Sequence, residues 1–281
     1  MKVLVTGVKG QLGFDVVRVC SARNIDAVGV DIDEMDITDI EQVEKTISSD
    51  SYDAVIHCAA YTAVDAAEDN EELCRKVNAY GTENIAKCCQ KYDIKLMYFS
   101  TDYVFNGKGT CPWKETDAPE PLNVYGLTKY EGEQAVRRFQ KKHFILRISW
   151  VFGLNGKNFV KTMLQLGQKN TTINVVNDQI GSPTYTYDLA RLVVDMIQTD
   201  KYGTYHVTNE GDCSWYDFAC EIFRLKDMNV RVNPVDSSQY PTKASRPQNS
   251  RMSKEKIRTE GFKPLPLWQD ALTRYLNELE E

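Results

Sequence analysis

An α/β fold, a doubly wound parallel sheet with a smaller α/β lobe at the C-terminal end, is predicted by three features of the 281-residue sequence. The first half alternates short apolar runs with amphipathic segments, the pattern of βα units that build a parallel sheet. A glycine-rich turn, Thr6-Gly7-Val8-Lys9-Gly10-Gln11-Leu12-Gly13, closes the first of those runs. Beyond about residue 150 the alternation loosens, and helical patterns are interrupted by short strands and a long polar loop.

In order, strands are expected at 2–6, 27–31, 54–58, 95–100 and 144–149, each a β-branched or apolar run ended by polar or small residues. Helices fall between them at about 11–22, 39–48, 70–91 and 124–141, long enough for right-handed crossovers. The second half has helical periodicity near 157–168, 185–198, 215–225 and 267–279, with strands at 173–176 and 205–208. The stretch 237–251, polar and proline-containing, reads as a ligand-facing loop. The division expected is 1–150 for the main sheet and 151–281 mainly for the smaller lobe, with parts of 173–208 returning to the sheet.

Composition excludes several classes. With 42% hydrophobic and 26% charged residues, neither disorder nor a fibrous repeat is favoured. A net charge of -6 without a basic run argues against binding nucleic acid or a membrane surface. Eight cysteines without a C-x-x-C pair read as reduced thiols. The opening strand is too short for the apolar region of a signal peptide, and no run approaches the roughly 18 apolar residues of a membrane span. A cytoplasmic protein is expected.

Gly7, Gly10 and Gly13 follow a strand and open a helix, the context in which a glycine turn holds the pyrophosphate of a dinucleotide on helix N–H groups. The sheet is therefore expected to be of Rossmann type, and the bland alternative is a tight turn without a ligand. Asp31 ends the second strand, 18 residues beyond Gly13, where a carboxylate can accept from the adenosine ribose hydroxyls. Asp33, Glu34 and Asp36 follow, and no Lys or Arg stands beside them in sequence. NADH is therefore the preferred cofactor and NADPH a possible one.

Tyr125 and Lys129 lie four residues apart at the start of a predicted helix, so they share a face. An ammonium beside a phenol favours its ionised form and is expected to lower its pKa. Hydride delivery to a ketone leaves an alkoxide that needs a proton, which Tyr125 can give, and a donor such as Thr101 at the end of the fourth strand. With 15 tyrosines, about one such spacing arises by chance, so its position after the Thr101 strand carries the argument.

The runs 6–13, 59–65, 100–105, 121–126 with Lys129, 147–152, 177–184 and 244–251 together resemble the extended short-chain dehydrogenase/reductases, and within them the reductases of 4-keto deoxysugar nucleotides. The resemblance covers essentially the whole chain. It implies a catalytic triad of Thr101, Tyr125 and Lys129, and a cofactor site lined by Gly10, Gln11, Leu12, Asp36, Ile37, Ala59, Ala60 and Tyr61. It further implies that Val64, Thr101, Asp102, Tyr103 and Trp150 meet the deoxysugar, while Arg246, Asn249 and Arg251 approach a dTDP moiety. The reaction implied is NAD(P)H-dependent reduction of dTDP-4-dehydro-6-deoxy-L-mannose at C4 to dTDP-L-rhamnose.

Two departures narrow this. Related dehydratases carry Asp-Glu after the threonine, the glutamate acting as base at C5; here the pair is Asp102-Tyr103, which disfavours dehydration. Members that dimerise through magnesium carry glutamates where this chain has Asp15 and Tyr187, so no metal site is expected. His57, His143 and His206 are too dispersed for zinc. A homodimer is compatible with the sequence, which does not fix the oligomeric state. Two other readings are a reductase of another 4-keto sugar nucleotide and a cofactor-binding regulatory subunit, since the beta subunit of methionine adenosyltransferase resembles the same family.

Overall fold

The computed structural model describes residues 1–280. Val3, Leu4 and Val5 are buried on both faces of β1 (Lys2–Thr6), as a central parallel strand requires. There follow α1 (Gln11–Ala22), β2 (Asp26–Val30), α2 (Ile40–Ser48), β3 (Ala54–His57), α3 (Val64–Ala67), α4 (Glu71–Arg75) and α5 (Thr82–Lys91). Next come β4 (Lys95–Thr101), α6 (Val124–Phe139), β5 (His143–Ile148), β6 (Val151–Phe152), α7 (Phe159–Gly167) and β7 (Thr172–Val176). β8 (Ile180–Gly181), β9 (Thr184–Tyr185), α8 (Thr186–Ile197), β10 (Gly203–His206) and β11 (Cys213–Ser214) lead to α9 (Trp215–Leu225), β12 (Arg231–Val235), α10 (Glu255–Thr259) and α11 (Trp268–Glu278).

Six strands form one sheet in the order β10-β5-β4-β3-β1-β2, with every pairing parallel. The chain runs outward from β1 to β2, then crosses back to β3, so the order reverses beside β1 and a cleft opens beyond the carboxyl ends of β1 and β3. One face packs on α1 and α8 through Val16, Val19, Leu189 and Val193. The other packs on α2, α5 and α6 through Val43, Ile47, Ile85 and Val136. β10 and α8 thus carry the C-terminal half back onto the main sheet. A separate cluster including Phe152, Phe218, Phe223, Trp268 and Tyr275 forms the core of the smaller lobe. There β7 pairs with β12, β6 with β9 and β8 with β11.

The single helix expected at 70–91 is instead two helices joined by a π-helical segment, Lys76–Gly81. Asn78 holds this segment, chiefly through Tyr61, 17 residues away. Its side chain accepts from Tyr61 N at 2.8 Å and donates to Tyr61 O at 3.0 Å, while its own carbonyl accepts from the Thr82 hydroxyl at 2.7 Å. Such an insertion widens one turn and is commonly found near a site. Here it fixes the backbone of Tyr61, at the cleft.

Candidate active site

A cavity of about 1010 Å³ occupies the cleft. At one end Gly7 sits at φ +70°, and its N–H donates to Val30 O at 2.8 Å. A Cβ there would meet Ala59 N at 2.6 Å, so β3 can approach only a glycine. A Cβ on Gly13 would meet Gly7 O at 2.3 Å, which explains the need for glycine where helix and strand close together. Gly10 caps α1 without a side-chain bond, and the first turn carries no acidic residue. Its first N–H groups are therefore open to an anion.

Gly7, Gly10, Gln11, Leu12, Gly13, Asp31, Asp36, Ile37, Ala59, Ala60 and Tyr61 all line this cavity. Asp31 accepts the Lys9 N–H at 2.9 Å, and the Lys9 ammonium pairs with Asp33. A cation therefore stands beside the acidic cluster in space, although none does in sequence, because the glycine turn folds against the end of β2. A strap from the smaller lobe crosses the same turn: Asn155 Nδ2 donates to Lys9 O at 2.6 Å, and Asn158 Nδ2 to Gln11 Oε1 at 3.0 Å.

At the other end, Asn123 caps α6 by accepting from Gly126 N at 2.8 Å, and Tyr125 lies in the first turn. A Cβ on Gly126 would meet Tyr103 O at 2.1 Å, so the end of β4 packs directly on this turn. Thr101, Asp102, Tyr103, Tyr125 and Lys129 face the cavity with Val64 and Trp150. The Thr101 hydroxyl donates to Asp102 Oδ1 at 3.0 Å and accepts from Tyr103 N at 3.2 Å. The Tyr103 ring meets the Tyr125 ring edge-on, with centroids 5.8 Å apart.

Burial governs the protonation of these groups. Lys129 is 3% exposed, its ammonium lies 4.2 Å from the Tyr98 ring centroid, and burial lowers its pKa to about 7 against the opposing charge of Glu133. Burial pushes the Tyr125 phenol up, and the Asp102 carboxylate adds to this while the Thr101 hydroxyl opposes it. The lowering of Tyr125 expected from the sequence is not seen: burial sets its direction, and the Lys129 ammonium is not among the groups that shift it. Burial also raises Asp102 to about 6.

Arg246, Asn249 and Arg251 do not line the cavity. Arg246 grips Asp65 at 2.6 and 3.1 Å, next to Val64. Asn249 donates to Cys111 O at 2.8 Å and accepts from Arg251 Nη1 at 3.1 Å. His57 is held between the hydroxyls of Thr6 and Thr82 and is lowered to about 3 by burial, a structural role. Asp15 is fully buried against Arg18 and Thr186. Lining residues that sequence reasoning missed include Lys9, Lys157, Phe159, Trp215 and Phe218. Lys9 sits inside the glycine turn, whereas distant segments deliver the other four and nothing local to those signals a site. Among the described residues, no helix is long and apolar enough to cross a membrane.

The comparisons with known proteins agree with this geometry. The family model described as RmlD substrate binding domain matches residues 1–281. A dTDP-4-dehydrorhamnose reductase of Escherichia coli K12 is 39% identical, the match covering 99% of this chain and 98% of that protein. The crystal structure of a dTDP-4-dehydrorhamnose reductase from Bacillus anthracis in complex with NADP is 43% identical with a TM-score of 0.96, covering 99% of this chain and 100% of that one. A dTDP-4-dehydrorhamnose reductase from Clostridium acetobutylicum is 39% identical with a TM-score of 0.98, both chains being fully covered. A Rossmann-type cleft with a glycine turn at one end, matched over the full length to these enzymes, places the chain in the dTDP-4-dehydrorhamnose reductase family, as an oxidoreductase of the extended short-chain dehydrogenase/reductase group that works with a nicotinamide dinucleotide.

Proposed function

We propose that the protein reduces the C4 keto group of dTDP-4-dehydro-6-deoxy-L-mannose to dTDP-L-rhamnose. The observation that supports this best is the convergence of Thr101, Tyr125 and Lys129 at one end of a cavity whose other end is the glycine turn. A nicotinamide dinucleotide held by the glycine turn would supply a hydride to C4, and Tyr125 gives its phenolic proton to the developing alkoxide. A phenol kept protonated by burial is in the right state to give that proton. Thr101 donates to the same oxygen, and Lys129 in its ammonium form stabilises the phenolate that forms. Solvent then reprotonates Tyr125. Arg246 and its neighbours serve the nucleotide end, where Arg246 exchanges Asp65 for a diphosphate oxygen.

A turnover assay with NADH and the 4-keto sugar tests this reading. Loss of nicotinamide absorbance with stoichiometric formation of the 4-hydroxy product supports it, and no loss at saturating substrate rejects it.

The cofactor end favours NADH through Asp31 and admits NADPH through Lys9. Asp31 would accept from the ribose hydroxyls, and Lys9 would leave Asp33 for a 2′-phosphate. Lys9→Ala is expected to raise KM for NADPH about tenfold, the scale of one charged hydrogen bond, and to leave KM for NADH within about twofold. Asp31→Ala is expected to narrow the preference for NADH. Steady-state kinetics with both cofactors decides, and equal changes for the two in Lys9→Ala remove it from the 2′-phosphate site.

A further inference from the structure

Trp150 has a left-handed backbone at φ +50°, a conformation that bulky side chains rarely adopt and that persists only where the surroundings impose it. The surroundings here do so from several sides. The Trp150 carbonyl accepts from Thr184 N at 3.1 Å, and the adjacent Ser149 hydroxyl donates to Ser182 O at 2.8 Å. The indole is then held between two surfaces. On one lies Gly181, where a Cβ would stand 2.9 Å from the ring. Against it lies the indole of Trp215, with ring centroids 3.7 Å apart and planes 13° from parallel.

Trp215 is itself firmly placed. It opens α9 immediately after Ser214, whose side chain forms a reciprocal capping box with Asp217, and Phe159 packs on it with centroids 4.6 Å apart. Both tryptophans, with Phe159 and Phe218, line the cavity. This aromatic wall belongs wholly to the smaller lobe and the turn that enters it, while Thr101 and Tyr125 come from the main sheet and α6.

We propose that Trp215 is a positioning residue for the sugar subsite: it holds the Trp150 indole in place, and the two, with Phe159, form an apolar wall that takes the non-polar edge of a 6-deoxyhexose. This deepens the reductase reading above and rests on it. An apolar wall suits a sugar that carries a methyl group where a hexose carries a hydroxyl, since a hydroxyl there would lose its hydrogen bonds to water without replacement. The stacked pair also keeps the wall rigid, so that the reacting carbonyl is presented to Tyr125 in one orientation.

The test compares the wild type with Trp215→Ala and Trp215→Phe, measuring KM and kcat with dTDP-4-dehydro-6-deoxy-L-mannose, NADH affinity, and the exciton couplet that two stacked indoles give in circular dichroism. Trp215→Ala is expected to raise KM for the sugar nucleotide about tenfold, the scale of one aromatic pair, with NADH affinity within about twofold. Trp215→Phe, which restores a stacking face, recovers most of the KM although the couplet is lost. Should Trp215→Ala fail to fold, Trp215→Leu fills the volume without a stacking face and carries the same expectation. An unchanged KM in folded Trp215→Ala or Trp215→Leu overturns the inference, as does parallel loss of sugar and NADH affinity. If the wild type itself fails to turn over the sugar nucleotide, the reductase reading is the one that falls.

Discussion

Replacing Tyr125 with phenylalanine is expected to lower kcat by at least about a hundredfold, the scale of general-acid catalysis, while NADH affinity stays within about twofold. The ring is retained, so the edge contact with Tyr103 and the first turn of α6 survive; only the proton is removed. Because Tyr125 is buried and its phenol is pushed above its ordinary pKa, the wild-type group is protonated throughout the neutral range. Any change in the wild-type rate between pH 6 and pH 8, which single-turnover kinetics can measure, should therefore follow Lys129, lowered to about 7 by burial, and should be absent from the variant. Turnover within about threefold of wild type would remove Tyr125 from the role of acid.

The second large effect concerns stability. Glu133, fully buried on α6, receives Arg147 at 2.8 and 2.9 Å and Arg137 at 2.7 Å, and Arg147 is itself 1% exposed. Removing one partner of a buried pair strands the other, so Glu133→Ala is expected to cost about 3–5 kcal/mol in urea unfolding. Arg147 also rests on the Phe105 ring, 5.0 Å from its centroid, so its displacement would disturb the loop beyond Thr101. The acid dependence follows from the same charges. Arg147 and Arg137 hold the Glu133 carboxyl below its ordinary 4.5 despite burial, so the folded state binds its proton less readily than the unfolded chain. The stabilisation is complete above about pH 4.5 and is lost as pH falls through the folded value. Glu133→Gln should lack this component of acid sensitivity, and equal acid sensitivity in the two proteins would contradict the assignment.

Much of the fold was legible because its signals are local. The glycine turn lies between one strand and one helix, and apolar runs mark the strands. The misreadings have long-range causes. The π segment within 70–91 leaves the apolar spacing unchanged and depends on Asn78 bonding to Tyr61, 17 residues away. The strand expected at 205–208 runs Gly203–His206, because Val207 leaves the ladder while keeping only its N–H bond to Arg147 O. At the site, the order of residues along the chain hid the Lys9–Asp33 pair and the stacking of Trp150 on Trp215. The motif 244–251 was readable as a motif, but its engagement by Asp65 and by its own members was not, since ion-pair partners leave no spacing signature.

The strap over the glycine turn bears on how fast such a protein can cycle. Asn155 and Asn158 bridge from the smaller lobe to Lys9 and Gln11, and Gly156 and Lys157 line the same end of the cavity as the helix N-terminus. We expect a dinucleotide held along that end to lie beneath this bridge. Exchange of an oxidised dinucleotide for a reduced one would then part those two hydrogen bonds. On that reading the opening rate of residues 153–158 would set a ceiling on turnover that no improvement at Tyr125 could lift.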